Sequence, residues 1–177
     1  MSRYTVLVTS GFRIGLSMLL AGLILAVGGC ASYPSGIATG MTHAEVLKRF
    51  GTPAVERPTP DGDLMIYATA PMGQYAYAAV LDRSERVVEV AQILTPENFA
   101  RIQKGQWDAE EVLQHFGPPA ARHTIRGNQV WDYRYKEYNV YNSLFSITFD
   151  ASGLVAKTEN GPDWLFDGGR DSGGHHK

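Results

Sequence analysis

Between Thr42 and Phe50 the apolar residues Val46, Leu47 and Phe50 fall on one stripe at helical spacing. Thr42 is placed to cap that helix, and Glu45, three residues on, can return its carboxylate to the Thr42 backbone N–H as a capping box. Gly51 suits the left-handed residue that ends a helix, and Pro53 prevents continuation. The pattern then changes to alternation. Residues 64–69, 75–82 and 86–94 predict three strands, parted by the breaker Pro71-Met72-Gly73 and the hairpin turn Arg83-Ser84-Glu85. The stretch Pro58-Thr59-Pro60-Asp61-Gly62 reads as a loop and turn.

The same pattern returns at a constant spacing of 66 residues. Asp108 stands for Thr42, Glu111 for Glu45, and Val112 and Leu113 for Val46 and Leu47. Phe116, Gly117 and Pro119 then stand for Phe50, Gly51 and Pro53. Caps, core and terminators recur together, which marks a tandem duplication of one small module. The second copy opens with an extra helix at Thr95-Pro96-Glu97, apolar at Phe99 and Ile102 and ended by Gly105. Its strands are expected over residues 129–138, 144–150 and 154–158, with turns at Arg126-Gly127-Asn128 and Ala151-Ser152-Gly153.

The second sheet alternates cleanly. Trp131, Tyr133 and Tyr135 share one face, and Asp132, Arg134 and Lys136 share the other, as expected where helices cover one side of an antiparallel sheet. The first sheet does not. Met65, Tyr67, Tyr77, Ala79 and Leu81 face the helix, which leaves Leu64, Ile66, Ala68, Ala76, Ala78 and Val80 on an outer face that is also apolar. Such a face needs a cover, so these six residues are the candidate interface, whether for the second module, a second copy of the chain or a protein partner. The fold class that follows is α+β: two tandem modules, each with short helices on one face of a three- to four-stranded antiparallel sheet.

Residues 1–29 carry Arg3 and Arg13, no acidic residue and an apolar run over residues 14–26, the layout of a secretory signal too short for a membrane span. The run ends Val27-Gly28-Gly29-Cys30, and Cys30 is the single cysteine of the chain, without an intramolecular disulfide partner. The boundaries expected are a signal over 1–29, a lipidated tether over 30–36, modules over 37–94 and 95–160, and a disordered tail over 161–177. Within that tail Trp164-Leu165-Phe166 is a small apolar cluster expected to fold back on the sheet, with a docking motif as the alternative.

The net charge of −2 falls to about −4 once a basic signal is removed. That acidic balance argues against a nucleic-acid partner. The 44% hydrophobic content suits one or two small globular modules. His43 and His115 sit on exposed sides of equivalent helices with no second ligand at helical spacing, so no metal site is expected. No nucleophile elbow, phosphate loop or dinucleotide fingerprint is present. Glu45 and Glu111 are accounted for by capping. Neither a catalytic residue, a small-molecule substrate nor a non-covalent cofactor is therefore expected.

Small residues before a cysteine after an apolar run resemble the bacterial lipobox, in which the cysteine is acylated and becomes the new amino terminus. After it, Ile37-x-x-Gly40-Met41-Thr42-x-x-Glu45-Val46-x-x-x-Phe50-Gly51-Thr52-Pro53 resembles the SmpA/OmlA family of BamE-like outer-membrane lipoproteins. Leu94-Thr95-Pro96, Ile102-x-Lys104-Gly105 and Trp131-x-Tyr133 are similar to the same family. The resemblance covers residues 37–158, once per module. Family members carry one module where this chain carries two, and Met65 stands where the second copy has Trp131. The resemblance implies a covalent lipid at Cys30, an outer-membrane location on the periplasmic face, and protein partners, among them the machinery that assembles β-barrel proteins. Ala31 after the cysteine implies export to the outer membrane. The helix–turn signature is also similar to β-lactamase-inhibitor-protein-like modules, which implies the alternative of a periplasmic inhibitor or sensor that grips an enzyme with a sheet face.

Overall fold

A computed structural model describes residues 33–166 of the chain. The segment expected to be a signal, Cys30 and the end of the expected tail lie outside the described residues. After a single 3-10 turn at Pro34–Gly36, the order is α1 (His43–Phe50), β1 (Val55–Thr59), β2 (Gly62–Ala68), β3 (Ala76–Asp82), β4 (Val87–Gln92), α2 (Pro96–Phe99), α3 (Ala109–Phe116), β5 (Ala121–Ile125), β6 (Asn128–Glu137), β7 (Tyr141–Phe149) and β8 (Val155–Pro162). Two four-stranded antiparallel meanders result, β1-β2-β3-β4 and β5-β6-β7-β8. The protein is α+β and built of two modules.

Each module has one strand more than its strongest alternation predicts. β1 and β5 fill the stretch after each helix and pair with β2 and β6, Val55 opposite Ile66 and Arg122 opposite Trp131. Both are edge strands, and Pro58 is tolerated in one because an edge strand can spare a donor. α2 is shorter than expected. It ends at Phe99, capped by the Thr95 hydroxyl accepting from the Asn98 N–H at 3.2 Å, and Ile102 packs on the core from the turn beyond. β8 runs to Pro162 and is followed by a turn over residues 163–166, so the ordered chain passes the boundary expected at 160.

The duplication extends to single atoms. Gly51 donates to the Leu47 carbonyl at 2.9 Å and Gly117 to that of Leu113 at 2.8 Å. The Tyr67 hydroxyl donates to the Gly51 carbonyl at 2.8 Å, and the Tyr133 hydroxyl to that of Gly117 at 2.9 Å. The Asp82 carboxylate accepts from Ser84 and Arg86 N–H groups, and the Asp150 carboxylate from those of Ser152 and Leu154. Both sheets shift register at the same place, between Val80 and Leu81 and between Thr148 and Phe149. One expected correspondence is missing. Thr42 and Glu45 form the full capping box, whereas Asp108 accepts from the Glu111 N–H with no return bond from the Glu111 carboxylate. Two carboxylates at the cap and third positions repel, so the second copy keeps half of the device.

Apolar side chains gather in two cores. The smaller joins Ile37, Val46, Met65, Tyr67, Ala79, Leu81 and Val87, with Phe50 edge-on to Tyr67. The larger brings Ile66, Ala76 and Ala78 of the first sheet together with Phe99, Val112 and Phe116 and with Trp131, Tyr133, Ile147 and Phe149 of the second.

Candidate functional site

The outer face of the first sheet is filled from within the chain. Ile66 and Ala76 are fully buried, and Ala78 nearly so, in the larger core. Leu64 and Ala68 pack on that core from its margin. Val80, beside the register shift, is half-buried and stands outside it. The contact is close: a Cβ added to Gly117 would lie 3.2 Å from the Ile66 Cγ2 and 3.6 Å from the Ala68 Cβ. The small residues of that face are the depth the second module's helices require. An apolar face covered in this way has little left for an outside partner.

At the margin of this seam a groove of about 160 Å³ remains, its floor made by Leu64, Ile66, Ala78, Trp107 and Phe116 and its rim by Arg57, Arg101, Gln114 and His115. His115 stacks on Trp107 at 4.2 Å and its Nδ1 pairs with the Glu111 carbonyl. The Arg57 Nε and the Gln114 Oε1 are buried with no protein hydrogen-bond partner. A groove of that size holds water, which is sufficient to satisfy both.

The second joint between the modules is polar and lies at the opposite ends of β2 and β6 from their hairpin with β1 and β5. The Arg134 guanidinium donates to the Pro71 carbonyl at 3.1 Å and pairs with Asp163 at 3.0 Å. The Gln74 amide donates to the Asn142 Oδ1 at 3.1 Å, and the Asp163 N–H to the Asn142 carbonyl at 2.9 Å. Asp163 is almost fully buried there. Its carboxylate also accepts from the Leu165 N–H at 3.2 Å, which fixes the turn after β8. Sequence patterning does not reveal this joint, since Arg134 alternates like any solvent-facing residue and Asp163 sits in a Gly- and Asp-rich stretch.

The perturbed titratable groups are engaged in structure. The Thr42 backbone N–H, then its hydroxyl, holds the Glu45 carboxyl below its usual value. The Ser84 and Ser152 hydroxyls do the same for Asp82 and Asp150. Burial pushes the Tyr67 hydroxyl up to about 12 and raises Tyr133 and Tyr135 further. His43 pairs with Glu56 at 2.6 Å and is the single histidine of α1. Among the described residues no group of three or more His, Cys, Asp or Glu side chains is placed to hold a metal ion.

No protein-family model matches the chain, and no curated protein matches it. A solved structure that resembles it is a DUF4309 family protein, YjgB, from Bacillus subtilis, at 17% identity and a TM-score of 0.31, over 69% of this chain and 78% of that one. A likeness of that size carries no functional argument.

Trp164-Leu165-Phe166, expected to fold back on the sheet, stands out from it instead: all three are exposed on the turn that Asp163 fixes. β8 is the edge strand of the second sheet, and the chain leaves it at Pro162.

Proposed function

We propose that the protein is a lipid-anchored periplasmic protein of the outer membrane that acts by binding protein partners, in support of β-barrel protein assembly or of envelope integrity. The observation that carries this reading is the signal-like segment ending at the lone Cys30, three residues before Tyr33, the first described residue. Two acyl chains hold a protein at a bilayer, each buried CH₂ contributing about 0.8 kcal/mol. Tethering then raises the effective concentration of the binding module for membrane-bound partners. In this reading each module's helices cover one face of its own sheet, and the second module's helices are covered in turn by the first sheet. The protein is not an enzyme here, and the only non-protein group it needs is the lipid on Cys30.

The burial of Ile66 and Ala78 moves the search for a protein partner to exposed positions. Val88 and Ile125 are exposed and apolar beside turns. A photo-crosslinker at either, in intact cells, is expected to capture a subunit of the barrel-assembly machinery. Deletion of the gene with unchanged barrel-protein levels and unchanged detergent resistance would falsify the specific role.

A further inference from the structure

We infer that one end of the folded body docks on the bilayer itself, through a patch built by both modules around Tyr138, Tyr141 and Trp164. The occupant proposed is the interfacial layer of the membrane to which Cys30 is anchored, so the inference rests on the anchoring reading above.

Four features place the patch. First, the large exposed apolar side chains are not scattered. Met72, Tyr138, Val140, Tyr141, Trp164 and Leu165 are each more than half exposed. They sit on three segments that touch: the β2–β3 connection, the β6–β7 hairpin and the turn after β8. Gln74 to Asn142, Arg134 to Pro71 and Asp163 to Asn142 are the bonds that hold those segments together. Val88 and Ile125 lie apart, next to the β3–β4 and β5–β6 turns at the opposite end of their strands.

Second, the chain enters the body at this end. Tyr33 packs edge-on against Tyr77 at 6.5 Å, and Tyr77 stacks on Tyr75 at 6.1 Å, at the end of β3 that leaves the β2–β3 connection. Cys30 is three residues before Tyr33, and three extended residues span about 10 Å. By chain length alone, an acyl group at Cys30 would tether the body through Tyr33, which lies at this end.

Third, the patch is presented at a cost in backbone conformation. Tyr138 and Asn139 have φ of 51° and 58°. That conformation suits Gly or Asn, and a bulky residue enters it unfavourably. Tyr138 nevertheless occupies it and points its ring to solvent, 66% exposed. Packing inside the fold does not account for an aromatic there. Asp163, by its ion pair and its bond to the Leu165 N–H, fixes Trp164 in the same way.

Fourth, the composition suits an interface. Tyr and Trp have an apolar body and a polar edge, and they collect at the headgroup level of bilayers. Lys136, two residues before Tyr138 near the end of β6, supplies a cation for headgroup phosphates.

The test uses the full-length protein expressed in its own envelope and reconstituted in phosphatidylethanolamine–phosphatidylglycerol vesicles, with or without bromine on the acyl chains. Trp107 and Trp131 are 9% and 4% exposed, whereas Trp164 is 77% exposed. Bromine quenching therefore reports on Trp164. A Trp164→Phe, Ile125→Trp variant moves the exposed indole to the opposite end. The expected result is blue-shifted, quenched emission from Trp164 and unquenched emission from position 125. Equal quenching at both positions, or none at either, overturns the docking. The intact mass of the same preparation reads acylation of Cys30 independently. An acylated Cys30 with unquenched Trp164 overturns the docking and leaves the anchor. An unmodified Cys30 with selectively quenched Trp164 removes the anchor and upholds the docking.

Discussion

Gly51 and Gly117 are equivalent residues with the same backbone, φ 78° and ψ −163° in one and φ 72° and ψ −168° in the other. The positive φ follows from the position after a helix, but ψ is extended, beyond the left-handed helical region that a helix-ending glycine usually adopts. This corner of backbone space is essentially restricted to glycine and costs other residues about 1–3 kcal/mol. The surroundings differ. A Cβ at Gly51 meets nothing within 4 Å, whereas one at Gly117 presses on Ile66. Gly51→Ala is therefore expected to cost the backbone strain alone, and Gly117→Ala that strain plus about 1 kcal/mol of overpacking. Urea denaturation of the two variants checks this; equal losses would mean that the seam yields without cost.

At the scale of the element, the two hairpin turns after β3 and β7 share one device. Ser84 and Ser152 hydroxyls, followed by backbone N–H groups, donate to Asp82 and Asp150 and hold both carboxyls below their ordinary value. The folded chain thus takes up these protons less readily than the unfolded chain. Their contribution to stability is fully present above the unfolded value of about 4 and is lost as pH falls through the lower folded values. Asp82→Asn and Asp150→Asn together are expected to flatten the acid limb of the stability profile below about pH 4. A limb as steep as that of the parent protein would assign acid sensitivity to other carboxylates. The helix caps are a separate matter. Thr42→Ala removes the hydroxyl that accepts from the Glu45 N–H and donates to the Glu45 carboxylate, leaves the reciprocal bond from the residue 42 backbone N–H, and is expected to cost about 1 kcal/mol.

At the scale of the whole molecule, the larger core belongs to both modules. Ile66 is fully buried in the first sheet, and Trp107 and Trp131 are buried in the second module. Truncating Ile66 to Ala leaves a cavity on the seam and is expected to cost about 3 kcal/mol. Because the seam is shared, the loss should appear in the emission of tryptophans that lie in the other module. Should Trp107 and Trp131 keep their urea midpoint in Ile66→Ala, the modules unfold independently and the seam is not a common core.

The chain's own pattern determined the modules. Helix caps, stops, the alternation in β2, β3, β6 and β7 and the spacing of 66 residues are local or periodic features, and local features are written in the order of residues. The two edge strands were not legible, because β1 and β5 are largely polar and exposed and take their form from the partner strand. The apolar outer face of the first sheet was legible as a face in need of a cover, from Ile66 and Ala78. Its cover was not, since periodicity states which side chains share a surface and not what lies opposite. The same holds for Arg134 and Asp163, which read as solvent-facing charges until β7 and β8 bring them within 3.0 Å. The gathering of Met72, Tyr141 and Trp164 at the end where the chain enters was likewise decided by tertiary structure alone. Those residues lie far apart in sequence, and only the antiparallel register of the two sheets brings their loops to one side.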